Sequence, residues 1–293
     1  MRVFITGATG FIGSSIVHEL IDAGHHVVGL ARSDKAAEAL IAAGAEVHRG
    51  SLDDLESLYR GAKAADGVIH AGFMHNFSDL ASACEIDQSA IETLGDALKG
   101  SNRPFVVTSV ITVLKSGKLG MENDETYPES AGSLRIASEE KALSMAEKGV
   151  RVSVVRLAPC VHDISRQGFA TRLGSLATEK GVSVYVDEGL NRWPAVHRLD
   201  AANLFRLALE SAPAGSRLHG VGEEAIPFRD IAEAIGRRHN LPVASISSEE
   251  ANQHFGWLAQ FVLSDNQTSN AMTQKLLGWK STRPTLVDDI VCK

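Results

Sequence analysis

Apolar and polar positions in the first half of the chain follow two alternating rhythms. Short apolar, β-branched runs such as Val3-Phe4-Ile5, Val27-Val28-Gly29-Leu30 and Phe105-Val106-Val107 have the pattern of strands buried on both faces. Between them, apolar residues recur three and four positions apart, first at Ile12, Ile16, Val17, Leu20 and Ile21, and predict helices packed by one face. After that helix, closed at Gly24, the pattern predicts strands over 27–30, 45–48, 66–70, 105–109 and 151–157. Helices are expected over 35–43, after Asp53 or Asp54, over 78–99 and over 133–148, with a loop at 116–132. Strand and helix in strict alternation imply a parallel sheet covered on both faces.

Beyond Pro159 the rhythm becomes irregular. A helix near 167–179, a strand over 182–186, the run Trp193–His197, a helix over 200–211 and another over 228–238 can be read there. The expected fold class is therefore α/β, a Rossmann-type doubly wound parallel sheet with a smaller α+β C-terminal lobe. Residues 1–160 would form the sheet domain, with 193–212 packing back on it. Residues 161–192 and 213–293 would form the substrate-binding lobe.

The turn after the first strand, Thr6-Gly7-Ala8-Thr9-Gly10-Phe11-Ile12-Gly13, carries the first chemistry. Gly7 permits a tight reversal, Gly10 lets backbone N–H groups approach a pyrophosphate, and Gly13 lets helix and strand pack closely. The helix that follows offers open N–H donors and the positive end of its dipole to phosphate. At the end of the second strand, Ala31-Arg32-Ser33 has no acid to accept from a ribose 2′-hydroxyl. Arg32, with Ser33, instead suits a 2′-phosphate, so NADP(H) is favoured over NAD(H); Asp34 is expected to cap the next helix. Ser51 and Leu52 would lie beside the adenine, and the small-residue end Ala71-Gly72-Phe73 lets backbone pass close to a cofactor. Thr108 and Ser109 place hydroxyls at the carboxyl end of the fifth strand, where ligands bind in open parallel sheets.

Composition narrows the setting. The chain has 293 residues, 44% of them apolar and 22% charged, as in ordinary globular proteins. A net charge of −7 argues against nucleic acid or an anionic membrane as partner. No apolar run approaches the roughly 20 residues that span a bilayer, and a strand starting at Arg2 leaves no room for a signal peptide. Cys84, Cys160 and Cys292 form no CxxC pair, which fits reduced thiols and a cytoplasmic location. The eleven histidines show no HExxH spacing, so no metal site is expected.

Several segments together resemble the extended or atypical short-chain dehydrogenase/reductase superfamily, in its NAD-dependent epimerase/dehydratase branch. They are Thr6–Gly13, Gly50–Asp53, Val68–Gly72, Val106–Ser109, Val155–Pro159, Val196–Ala202 and Leu277–Lys280 followed by Pro284. The resemblance implies that Gly7, Thr9, Gly10, Phe11, Ile12, Arg32, Ser51, Leu52, Ala71, Gly72 and Phe73 line the cofactor. It places Leu157–Pro159 beside the nicotinamide. Most relatives carry Asp where Ser51 stands.

The superfamily's usual proton machinery, Tyr-x-x-x-Lys on the helix after the fifth strand, is altered. Aligned on Ser138, that helix has Arg135 in the tyrosine position and Glu139 in the lysine position. An arginine cannot give up a proton near neutral pH. The i,i+4 spacing of Arg135 and Glu139 suits a helix-surface ion pair, while Arg135 is also a candidate for holding a phosphate or a substrate anion. A literal Tyr-x-x-x-Lys, Tyr59 to Lys63, falls on an outer layer and reads as coincidence. Candidate replacements are Ser109 to polarise a carbonyl, and His75, His162 or His197, with Arg166 nearby, at predicted strand ends. Tyr127 precedes the altered helix.

The expectation is an NADP(H)-dependent oxidoreductase acting on a small carbonyl or alcohol compound. The rivals are a cofactor-binding sensor that has lost chemistry and a sugar-nucleotide epimerase or dehydratase. The resemblance also makes the helices near 78–99 and 133–148 candidates for a homodimer bundle.

Overall fold

Strand and helix alternate from the first residue in the computed structural model, which describes residues 1–74, 79–166 and 168–292. The first half contains β1 (Arg2–Thr6), α1 (Phe11–Asp22), β2 (His26–Ala31), α2 (Asp34–Ala42), β3 (Glu46–Arg49) and α3 (Leu55–Lys63). It continues with β4 (Gly67–His70), α4 (Leu80–Leu98), β5 (Pro104–Val110), α5 (Ile136–Ser144) and β6 (Arg151–Leu157). Next come β7 (Cys160–His162), α6 (Phe169–Lys180), β8 (Ser183–Val186), β9 (Arg192–His197) and α7 (Arg198–Ser211). The remainder holds β10 (Ser216–Gly220), β11 (Glu223–Pro227), α8 (Phe228–His239) and β12 (Val243–Ile246). Four short helices close the chain: α9 (Ala251–Phe255), α10 (Ala259–Val262), α11 (Ala271–Leu277) and α12 (Leu286–Val291).

Seven strands form one parallel sheet in the order β10-β6-β5-β4-β1-β2-β3. The order reverses between β1 and β4, where Thr6 lies opposite His70. At such a switch point the connections leave in opposite directions and a crevice opens beyond the carboxyl ends of the strands. The glycine turn after β1 and Ala71-Gly72-Phe73 after β4 both open into that crevice.

The helices sort to the two faces by the apolar stripe each carries. α1 presents Ile16, Val17 and Leu20, all buried, and shares a core with Leu204, Phe205 and Leu209 of α7. It stops at Gly24, whose φ of 82° lets His25 N–H close back on Leu20 O at 2.9 Å. On the other face Leu58 of α3, Ile91 and Leu94 of α4, and Ala142 of α5 pack on Phe4, Phe105 and Val107. The outward surfaces of α4 and α5 are polar, with Glu85, Ser89, Asp96 and Glu140 exposed. A third core surrounds Trp193 in the lobe, among α6, α8 and α12. Among the described residues no helix is long and apolar enough to cross a membrane.

The partition between sheet and lobe differs from the sequence expectation in two places. Ser216–Gly220, expected in the lobe with the rest of 213–293, is the seventh sheet strand, with Leu218 opposite Val155. Its alternate residues Arg217 and His219 meet buried carboxylate and carbonyl groups, which explains polar side chains in a sheet strand. Of residues 193–212, α7 packs back on the sheet and Val196 reaches the same core. Trp193–His197 lies in a separate three-stranded sheet, β11-β9-β7. β8 and β12 form a third, two-stranded sheet.

Candidate active site

The glycine turn is shaped by contact of backbone with backbone. A Cβ on Gly13 would lie 2.0 Å from the carbonyl oxygen of Gly7, and one on Gly7 would lie 2.6 Å from backbone atoms of Ala71 and Gly72. Gly7 also has φ 69°, in the left-handed region. The turn is closed by Gly10 N–H donating to Gly7 O at 2.9 Å. No side chain caps α1, and its first turn holds no acid. The N–H groups of Phe11, Ile12 and Gly13 therefore face the crevice as donors, with Thr9 and Gly10 exposed beside them. This cradle of open N–H groups fits a dinucleotide diphosphate, and any larger residue at Gly7 or Gly13 would collide with the backbone that forms it.

At the end of β2, Arg32 is exposed and has no hydrogen-bond or ion-pair partner among the described residues. Ser33 caps α2 by accepting from Ala36 N–H at 3.2 Å, so the expected cap at Asp34 is corrected. Asp34 is instead paired with Arg49 at 2.6 Å, because β3 ends beside β2, with Arg49 opposite Ala31. Ser51 donates to Asp53, and Leu52 reaches Gly72, closing the side of the cradle.

A buried polar chain connects the turn to the far end of the crevice. Thr6 Oγ1 accepts from Gly72 N–H at 3.2 Å and lies 2.7 Å from His70 Nδ1. His70 Nε2 is 3.1 Å from Asp87 Oδ1, and Asp87 Oδ2 is 3.1 Å from Arg135 Nη1. Burial pushes the Asp87 carboxyl up, but its His70 hydrogen bond and the Arg135 charge outweigh that and hold it below the usual range. Arg135 Nη2 donates to Thr108 O at 3.1 Å, and its guanidinium lies 4.2 Å from the centre of the Phe73 ring. Thr108 Oγ1 donates to His70 O at 2.9 Å. Arg135 is thus pinned at the ends of β4 and β5 by an acid, a carbonyl and a ring.

Two sequence expectations are corrected here. Arg135 and Glu139 form no surface pair; Glu139 is buried and pairs with Arg156 of β6, Oε1 to Nη2 at 2.6 Å. Ser109 is 2% exposed and donates its proton to Glu139 Oε2 at 2.7 Å. The alternation of β5 turns Ser109 under α5, away from the crevice, so it is a positioning residue for Glu139. The same carboxylate lies 3.5 Å from Arg217 Nε, and Arg156 also donates to Asp124 O at 3.1 Å.

The histidine candidates divide. His75 lies outside the described residues. His162 is buried; its Nδ1 is 2.7 Å from Asp289 Oδ2 of α12 and its Nε2 3.7 Å from Glu223. Burial lowers its pKa against the pull of Asp289. His197 Nδ1 accepts from Leu199 N–H at 3.2 Å, capping α7. His162 thus ties β7 to α12, and one nitrogen of His197 is engaged at the start of α7. Leu157 is buried at the end of β6, and Pro159 follows it half-buried. Burial pushes the Cys160 thiol up to about 12, which removes it as a nucleophile. Tyr127 donates to Glu129 at 2.7 Å, and Tyr59 is exposed on α3. Among the described residues no group of histidine, cysteine and acidic side chains could hold a metal ion.

Sequence reasoning missed Asp87 and Arg156; Arg156 had a usable signal, a lone charge inside an apolar strand run, whereas Asp87, in mid-helix, had none.

A family model described as the NAD dependent epimerase/dehydratase family matches residues 3–219. The chain is 50% identical to an uncharacterized protein of Schizosaccharomyces pombe, over 99% of this chain and 98% of that protein. It is 47% identical to an uncharacterized protein of Saccharomyces cerevisiae, again over 99% and 98%. In fold it is similar to a dTDP-glucose 4,6-dehydratase from Streptomyces venezuelae solved with NAD bound. That structure has TM-score 0.77 and 18% identity, covering 99% of this chain and 95% of the other.

Proposed function

The chain belongs to the NAD dependent epimerase/dehydratase family, and from that premise we propose an NADP(H)-dependent oxidoreductase that moves a hydride to or from a small carbonyl or alcohol compound. The observation that carries the reading is Arg135. It fixes a permanent positive charge at the ends of β4 and β5, stacked on Phe73, with 12% of its side chain exposed.

A bound nicotinamide dinucleotide supplies or accepts the hydride. The glycine cradle and the start of α1 hold its diphosphate, Arg32 and Ser33 its 2′-phosphate, and Phe73 with Leu157–Pro159 the nicotinamide end. As a carbonyl gains a hydride, its oxygen becomes negative, and Arg135 stabilises that charge in a partly water-excluded crevice. A guanidinium gives no proton, so water delivers it. Asp87 keeps Arg135 in place, and His70 and Thr6 keep Asp87 in place.

The reading is tested by following oxidation of NADPH against a panel of aldehydes, ketones and quinones. Turnover should fall about a hundredfold or more in Arg135→Met, the scale of losing one transition-state charge partner, and should persist in Ser109→Ala. Turnover unchanged in Arg135→Met would overturn the role of the guanidinium.

One observation favours a second reading. The hydroxyl protons of Ser109 and Thr108 are both spent on internal acceptors. A binding protein that senses the cofactor without turning it over fits that arrangement. Tight NADPH binding with no turnover across the panel would select it.

A further inference from the structure

Arg166 and Arg198 reach the first residue of α1 from the lobe side of the crevice. The guanidinium carbon of Arg166 is 5.6 Å from the centre of the Phe11 ring, and that of Arg198 is 5.1 Å from it. Phe11 directly follows Gly10, so both cations stand at the residue where the open N–H groups of α1 begin. A guanidinium lying against a ring leaves its N–H edge free to donate outward.

Asp163 builds this arrangement. Its Oδ2 is 2.5 Å from Arg198 Nε, while its Oδ1 accepts from Ser165 N–H at 2.7 Å and Arg166 N–H at 3.0 Å. The acid thus pins the turn that carries Arg166 and neutralises one of the two cations. Arg166 is exposed and has no acidic partner among the described residues. Two guanidinium groups against one carboxylate leave a net positive charge at a helix start that lacks both a capping side chain and an acid. A charge-matched occupant is an anion with oxygens on both sides: toward the N–H groups of α1 and toward the arginines.

We propose that Arg166 and Arg198 close over the diphosphate bridge of the dinucleotide and hold it against the N-terminus of α1 from the lobe side. This rests on the dinucleotide reading of the site. It adds two side-chain ligands, contributed by the turn after β7 and the first residue of α7, to a cradle otherwise made of backbone. Binding would then tie the turn after β7, through Arg166, to the sheet domain across one anion.

The test is titration of the full-length protein with NADPH, NADH and 2′-AMP, followed by calorimetry. The last ligand keeps adenosine and the 2′-phosphate but lacks the bridge. Arg166→Gln and Arg198→Gln should each weaken NADPH and NADH by the same factor, about tenfold for loss of a charge-assisted hydrogen bond. Affinity for 2′-AMP should stay within about twofold of the original. If Arg198→Gln fails to fold because Asp163 loses its partner, Arg166→Gln carries the test. Unchanged NADPH affinity in Arg166→Gln, or an equal loss for 2′-AMP, overturns the clamp. A wild type that binds both dinucleotides equally well sinks the NADP preference and leaves the clamp standing. One that binds neither overturns both.

Discussion

Glu139 of α5 and Arg156 of β6 form an ion pair at 2.6 Å with both side chains wholly shielded from solvent. It occupies the space under the end of β5 and ties α5 to the sheet through Ser109 and Arg217 as well. Taking two charges out of water is costly, and the pair stands only because each lone pair and donor has a partner.

Removing one member leaves the other buried and unpaired. Glu139→Gln should lower unfolding free energy by about 3–5 kcal/mol in urea denaturation. Glu139→Lys, which puts back the residue type that the resemblance expects, places an ammonium beside Arg156 and Arg217. It should fail to fold. A Glu139→Lys protein with wild-type stability would contradict the buried pair.

The glycine cradle predicts a contrast between two substitutions of the same kind. Gly13→Ala pushes a methyl into the carbonyl of Gly7, whereas Gly24→Ala meets nothing within 4 Å and pays mainly for its φ of 82°. Gly24→Ala should cost about 1 kcal/mol and keep dinucleotide affinity. Gly13→Ala should cost several kcal/mol or lose binding outright, as read by thermal melts and nucleotide titration. Equal behaviour of the two variants would contradict a backbone-filled turn.

A pH prediction follows from His219, held neutral in the network around Arg156. Burial lowers its pKa to about 4 against an unfolded value near 6.5, with its hydrogen bond to Ser269 O opposing. The unfolded chain therefore binds this proton first as pH falls. Stability is intact above about pH 6.5, declines down to about pH 4, and levels off for this group below that. The full loss is about 3 kcal/mol. His162 and His197 are lowered in the same direction. The difference in stability between wild type and His219→Gln, followed by denaturation at pH 7.5 and 4, should shrink toward acid. A constant difference would contradict a buried neutral ring.

Local order was legible in the residues themselves. The strand–turn–helix of Arg2–Asp22 depends on neighbours within a few positions, and Val152–Leu157 is an apolar run broken only by Ser153 and Arg156. What escaped was set by distant partners. The spacing of Arg135 and Glu139 says only that they share a helix face. Their opposite fates follow from Asp87, 48 positions before one, and Arg156, 17 positions after the other. Ser216–Gly220 is expected in the lobe because what makes it a sheet strand, pairing with β6 and partners for its polar residues in Glu139 and Ser269, lies far away in the chain. Within the site, Arg32 could be singled out because it stands where a strand end is expected. The chain from Thr6 to Arg135 could not, since each link comes from a different element.

The central claim, an NADP(H) site on a Rossmann-type sheet, is tested most directly by one titration series. Dissociation constants for NADPH and NADH are measured by quenching of nicotinamide fluorescence, in wild type and in Arg32→Ala. Wild type should bind NADPH at least about tenfold more tightly, and Arg32→Ala should erase most of that margin while leaving NADH nearly unchanged. Equal affinity for the two cofactors in both proteins would contradict the account.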